Sequence, residues 1–310
     1  MTQSADDAPR RIVDPTTGRP ILMAPRRQQR PMHTGPGGGA HVCPFCPGHE
    51  AETPPAVQAF AAGGRPVAGD GPGWLARAFP NKFPAAELHE VIAEGSVHHE
   101  QPGDLDAATW RTCIELWLAR IAAVEARPDV RCAFFFKNVG AAAGASIAHN
   151  HSQLLGLPEL PPRLQLELAV ARRAAECPWC TTVATAAADG RILCATADHV
   201  VLAPNPPRLP NEIWLLPTRC CDELLSTDLE SLAHLFHGLF VALSHGLGRP
   251  AFNLWLHRVP GTPFHWHFEI QPRTGQMAGL ELGGDMYINS LPPAVTLRRL
   301  REGLDKAGWR

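Results

Sequence analysis

Apolar positions change period several times along the chain, and each change predicts an element. In "GDLDAATWRTCIELWLARI" (103–121) and "STDLESLAHLFHGLFVAL" (226–243) they recur at helical spacing behind an aspartate cap, which predicts two long helices. A β-rich run follows each, "CAFFFKNV" (132–139) and "AFNLWLHRV" (251–259). Two more helices are expected over 163–176, joining two halves of the chain, and over 292–308, where prolines stand at the tolerated start. After Ser146, in "AAAGASIAHNHSQLLGLP" (141–158), the pattern suits a strand. Alternate side chains would then put His149, His151 and Gln153 in one row, roughly 6–7 Å between neighbours. Core packing explains such a row poorly. The three could hold a metal, do chemistry, or divide the work.

The same pattern occurs twice. "FPN" (79–81) matches "APN" (203–205), and "HEVIAEGSVH" (89–98) matches "NEIWLLPTRC" (211–220) without a gap, which sets Cys220 opposite His98. "HNHSQ" (149–153) and "HWHFE" (265–269) close the two copies. The expected fold class is α+β: tandem halves, each an antiparallel sheet with a long helix, over 10–160 and 161–310. Residues 1–9 are expected to be a disordered tail. "GPGGGA" (35–40) reads as a linker; no Gly-Lys-Ser/Thr follows to make it a phosphate loop.

Charge removes some functions. Net charge is −2 with no Lys/Arg run, which argues against a dedicated nucleic-acid binder. The most apolar helical stretch contains Glu115, Arg120 and Glu125 and cannot be a bilayer span. The first residues lack the apolar core of a secretory signal, so the expected compartment is the cytoplasm.

An odd count of nine cysteines is a poor disulfide framework. Cys113, Cys132 and Cys194 sit among apolar residues and read as buried thiols. "CPFC" (Cys43, Cys46) and "CPWC" (Cys177, Cys180) suit zinc better than redox chemistry, because a thioredoxin-like pair expects a βαβ context. The duplication completes two ligand sets, Cys43/Cys46/His98/His149 and Cys177/Cys180/Cys220/His265. Each offers the four borderline ligands of tetrahedral structural zinc, one or two ions per chain. His99 and Cys221 are adjacent substitutes, and a decayed second half would reduce its Cys-x-x-Cys to a turn.

With "CPFC", "FPNKFPA" (79–85), "HEVI" (89–92), "FKNVGAAAGASIAHNHSQ" (136–153), "HW" (265–266) and "AGLELGGDMYIN" (278–289) in hand, the chain resembles the galactose-1-phosphate uridylyltransferase family of the histidine-triad superfamily. Its "FKN", "AGAS" and His-x-His-Ser-Gln look closer to the ADP-glucose phosphorylase-like branch. Lys137 stands where galactose-pathway enzymes usually have Glu, Asn150 where they have Pro, and Gly275 where a lysine is usual. The resemblance implies two histidine-triad-like halves, a homodimer, and transfer of a nucleoside monophosphate from an NDP-sugar through a covalent histidine. The partners implied are small sugar nucleotides and sugar phosphates or phosphate.

His149 would then complete the first zinc site and aim His151, the nucleophile. Imidazole, with an ordinary pKa of about 6.5, is mostly neutral at cell pH. Gln153 and Ser146 would donate to phosphate oxygens, and the loop from Gly140 to Gly144 would bring backbone N–H groups close. The resemblance adds Arg27 and Arg30 on phosphates, Asn81 and Asn138 near the nucleotide, and Glu281 on sugar hydroxyls. His267 and Glu269 mirror His151 and Gln153, but "PGTPF" (260–264) replaces the small-residue loop and no serine matches Ser146, so polar residues on a strand face are expected here over a second catalytic face. The acceptor stays open: sugar phosphate for a transferase, phosphate for a phosphorylase, water for a hydrolase. A zinc-supported nucleotide-binding protein without turnover is the rival from another class.

Overall fold

The computed structural model describes residues 8–30, 42–220 and 223–309. The 35–40 linker, Cys221 and all but the end of the 1–9 tail lie outside them. A hairpin opens the chain, β1 (Arg10–Val13) and β2 (Pro20–Met23). The first half continues with β3 (Gln58–Phe60), β4 (Ala76–Pro80), β5 (Leu88–Glu94), α1 (Ala107–Glu125), β6 (Cys132–Val139) and β7 (His151–Leu157). Two helices join the halves, α2 (Pro162–Arg173) and α3 (Pro178–Ala188). The second half holds β8 (Ile192–Ala195), β9 (His199–Leu202), β10 (Ile213–Pro217), α4 (Leu229–Gly246), β11 (Phe252–His257) and β12 (His267–Pro272). It closes with α5 (Gly279–Gly284) and α6 (Pro293–Ala307).

One antiparallel sheet of ten strands runs through both halves in the order β3-β4-β5-β7-β6-β11-β12-β10-β9-β8. Read inward from each edge the order is the same, so the sequence duplication is a structural one. The copies meet where β6 pairs β11, Phe136 opposite Trp255 and Asn138 opposite Asn253. Both long helices start as their caps predict: Asp106 accepts from the Thr109 amide at 2.7 Å, Asp228 from that of Ser231 at 2.8 Å. Each lies on the same sheet face, where Trp110, Trp117, Phe135, Phe236, Phe240 and Phe268 build the main core. At roughly 1.5–3 kcal/mol per fully buried large side chain, this layer holds the halves together.

The structure corrects two details of the sequence reading. The strand expected after Ser146 begins only at His151; residues 147–150 are a loop. The gapless match of 89–98 with 211–220 slips by one in the sheet. Val91 lies opposite Gln153, but Trp214, not Ile213, lies opposite Glu269. Because strand side chains alternate, a slip of one residue changes which of them share a face. His89 therefore has Glu212, not Asn211, as its structural counterpart.

Candidate active site

Residues 140–150 connect β6 to β7. Gly140 (φ +78°) has no room for a side chain, since a Cβ would stand 2.9 Å from that of Ala251; Gly144 (φ +83°) closes the turn in the left-handed region. The loop delivers Ser146 to the rim of a cavity of about 600 Å³ on the sheet face away from α1. That volume suits a small-molecule ligand. His151, Gln153, Ser146, Gly144, Asn81 and Arg30 all line it. Its apolar wall comes from Phe45, Phe79, Val91 and Ile147, with Phe45 edge-on to His151 at 5.2 Å.

His151 Nδ1–H donates to the His149 carbonyl at 2.8 Å, which leaves the lone pair on Nε2. Burial, with help from the Lys137 charge, holds the His151 pKa down to about 3, so the ring is neutral. Behind the strand, Lys137 donates to the His151 carbonyl at 3.1 Å and to Glu94. Glu94 also accepts from Ser152 and, at 2.9 Å, from Trp117 Nε1. Lys137 and Glu94 are fully buried, and the partners of this network satisfy each other in the core. The backbone of His151 is thus tied from its rear.

The first Cys/His set gathers: the ligand atoms of Cys43, Cys46, His98 and His149 lie within 4.8 Å of one another. His149 Nε2–H donates to the Gly95 carbonyl at 3.0 Å, so Nδ1, 3.4 Å from Cys46 Sγ, keeps a free lone pair. Burial holds His149 down to about 4 and, with neighbouring Cys43, pushes the Cys46 thiol up to about 12. The neutral His149 ring, the His98 ring and two thiols that repel as thiolates form a donor set that a dication would satisfy. Cys177, Cys180, Cys220 and His265 gather in the same way. His265 Nε2–H donates to the Pro217 carbonyl at 2.9 Å and turns Nδ1 to Cys177 and Cys180 at 3.5 and 3.6 Å. A ligand imidazole tied to a backbone carbonyl is the usual outer-shell arrangement at metals.

A third group was not legible in the sequence: Glu167 on α2, His257 on β11, and His267 and Glu269 on β12, also within 4.8 Å. His267 Nδ1–H donates to the His265 carbonyl at 3.0 Å, leaving Nε2 facing Glu269 at 3.5 Å and Glu167 at 3.6 Å. Glu167 Oε2 and His257 Nδ1 pair at 2.8 Å, and these two atoms with His267 Nε2 and Glu269 Oε1 are buried without a well-aligned hydrogen bond. This mixed oxygen–nitrogen set could also hold a cation, one less thiophilic than the cysteine sets favour. Its members lie far apart in the chain, and only His267 and Glu269 were singled out by the sequence.

Other expected site residues do not themselves line the cavity. Arg27 donates to the Phe83 carbonyl at 2.9 Å, Asn138 Oδ1 accepts from Asn253 at 2.7 Å, and the Glu281 carboxylate accepts from the Ala278 and Ile288 amides. The sequence reading also missed Phe45, although it sits inside "CPFC", and His89, the first residue of "HEVI".

Comparison with known proteins follows the same lines. The family model described as "Domain of unknown function (DUF4921)" matches residues 91–307. ADP-glucose phosphorylase from Arabidopsis thaliana is 26% identical, covering 96% of this chain and 93% of its own. Galactose-1-phosphate uridylyltransferase from Thermotoga maritima is 25% identical over 69% of this chain and 73% of its own. Among solved structures, the Arabidopsis thaliana ADP-glucose phosphorylase with bound ADP-glucose has a TM-score of 0.72 at 26% identity, covering 95% of this chain and 99% of that one. A uridylyltransferase structure has a TM-score of 0.78 at 25% identity, covering 96% and 99%. The relatives and the motifs point to one superfamily and one α+β architecture. Among the described residues, no helix is long and apolar enough to cross a membrane.

Proposed function

The chain belongs to the DUF4921 family, and we propose that it is a nucleotidyltransferase that takes a nucleoside monophosphate from an NDP-sugar onto His151 and passes it to a phosphate-bearing acceptor. One observation carries the reading: His151, neutral and with Nε2 free, opens on a cavity lined by Gln153, Ser146 and Arg30. A relative with bound ADP-glucose supports a sugar nucleotide as substrate class.

The Nε2 lone pair attacks the α-phosphorus in line. A P–N bond forms, and the bond from phosphorus to the bridging oxygen breaks, its electron pair leaving with the sugar phosphate. Gln153 and Ser146 donate to oxygens that gain charge, and the Gly140–Gly144 turn brings backbone amides near. An acceptor phosphate oxygen then attacks phosphorus, and the P–N electron pair returns to Nε2. Nδ1–H stays on the His149 carbonyl throughout, sharing the positive charge that the ring gains. The two cysteine–histidine sets would hold structural zinc, whose contribution is rigidity. The chain supplies the rest: His149 fixes the loop two residues before the nucleophile. We read the active unit as a homodimer.

Incubation with α-³²P-labelled ADP- or UDP-glucose should leave alkali-stable, acid-labile label on the protein, absent from His151→Ala. Equal labelling of that variant rejects the assignment. Nucleotide binding without product or label would favour a non-catalytic binder, and a panel of acceptors separates transferase, phosphorylase and hydrolase.

A further inference from the structure

His89 is a buried imidazole that the proposed mechanism leaves unused, and it belongs to the "HEVI" stretch, whose chemistry the sequence did not explain. It lies on β5, on the face shared by Val91 and Ala93, diagonal to Gln153 across the β5–β7 ladder. The Ala85 amide donates to His89 Nδ1 at 3.0 Å, so Nδ1 is an acceptor and the ring proton sits on Nε2. Two carboxamides face that nitrogen. Asn81 has its Oδ1 engaged by the Phe83 amide at 2.8 Å and shows His89 only its Nδ2, at 3.2 Å. The acceptor is therefore Gln153 Oε1, 3.0 Å away. Burial, reinforced by the Arg27 charge, keeps the ring neutral by lowering its pKa to about 4.

We propose that His89 is a positioning residue: it holds the Gln153 carbonyl oxygen and so turns the Gln153 N–H₂, rather than the oxygen, toward the phosphates in the cavity. A carboxamide is nearly symmetric in shape. Without a donor behind it, Gln153 could present its oxygen to an anionic substrate and repel it. The relay from the Ala85 amide through His89 to Gln153 decides the orientation before substrate arrives, which is where a preorganised donor acts. The inference deepens the proposed nucleotidyl transfer and rests on it.

The test is a cycle of wild type, His89→Leu, Gln153→Ala and the double variant in the full chain, with kcat and KM for transfer from ADP- or UDP-glucose. His89→Leu should lower kcat by about ten- to a hundredfold, less than outright loss of a donor, with KM little changed. In the Gln153→Ala background the same change should cost almost nothing. His89→Gln, whose amide reaches the Nε2 position, should recover most of the rate. Equal losses in both backgrounds, a loss confined to KM, or no recovery by His89→Gln would overturn the proposal. Imidazole ¹⁵N NMR reads the tautomer without turnover, the His89 signal being the one lost in His89→Gln. A proton on Nδ1 instead of Nε2 overturns the relay by itself, whereas an inactive wild-type chain with the Nε2 tautomer counts against the proposed reaction and not the relay.

Discussion

In the first half, the second imidazole of the pair has its Nδ1–H on a carbonyl two residues back and its Nε2 toward an open cavity. In the second half, His267 makes the same backbone bond, yet its Nε2 meets Glu167 and Glu269 in a buried cluster. The difference lies in what covers the strand. α2 and α3 pack over the second copy, with Leu164, Leu168 and Trp179 sealing it against Leu216 and Phe264, and Trp179 stands 5.1 Å from the His267 ring. On the first copy the same face is walled by Phe45 and Phe79 but keeps room for a ligand. Glu269, where the first half has Gln153, is drawn into ion pairs with Arg208 and Arg163. Although burial opposes charge on it, the adjoining His267 ring and the Arg208 guanidinium hold the Glu269 carboxyl well below the usual range. On the proposed reading, the duplicated frame gives one candidate nucleophile, His151, and one buried cluster of ionisable groups around His267. What separates the two copies is access to a cavity, not the presence of the histidine pair.

The sharpest break between the copies should come from the histidines themselves. His151→Ala should reduce turnover by about 10⁴-fold or more, as loss of a covalent nucleophile does, while His267→Ala should still form the labelled intermediate. Labelling that instead followed His267 would invert the comparison. At the next position along each strand, Gln153→Ala should cost about 10²–10³ in kcat with the melting temperature little moved. Glu269→Gln should do the reverse: Arg208 and Arg163 lose a buried partner, and denaturant melts should show a loss of about 3–5 kcal/mol.

The metal sets should separate in a third way. Cys43→Ser and Cys177→Ser should each remove one zinc per chain by elemental analysis. The first should also lower kcat by about ten- to a hundredfold, because His149 no longer fixes the nucleophile's approach. The second should lower stability alone. An equal effect on kcat would mean that the second set also supports the cavity.

The smallest effect concerns His89 and its counterpart, Glu212, which binds Arg208 and Trp214 instead. The folded His89 pKa of about 4 lies below the ordinary 6.5, so the unfolded chain takes up a proton that the folded one refuses. Its contribution is complete above pH 6.5 and falls as pH drops from 6.5 toward 4. In that window wild type should lose up to about 1.4 kcal/mol per pH unit more than His89→Gln. Parallel denaturation curves at pH 7 and 5 would remove His89 from the neutral, buried state argued for it.

The sequence by itself determined what is set by neighbours in the chain. It determined the long helices with their aspartate caps, the β runs behind them, the duplication, and the two cysteine–histidine sets that the duplication completes. That His151 and Gln153 share one strand face was legible too, since strand alternation is a local property. Tertiary structure decided the rest. The late start of β7 and the one-residue slip of β10 depend on cross-strand pairing, so they exchanged Asn211 for Glu212 as the partner position of His89 without leaving a mark in local periodicity. Glu167 and His257 join His267 only because α2 folds back over β11 and β12, a placement fixed by burial of its apolar side. The same packing closes one copy of the strand face and leaves the other open. Local sequence set His267 apart from His151 through "PGTPF" (260–264) and the missing counterpart of Ser146, but what closes over His267 was decided only by packing across the sheet.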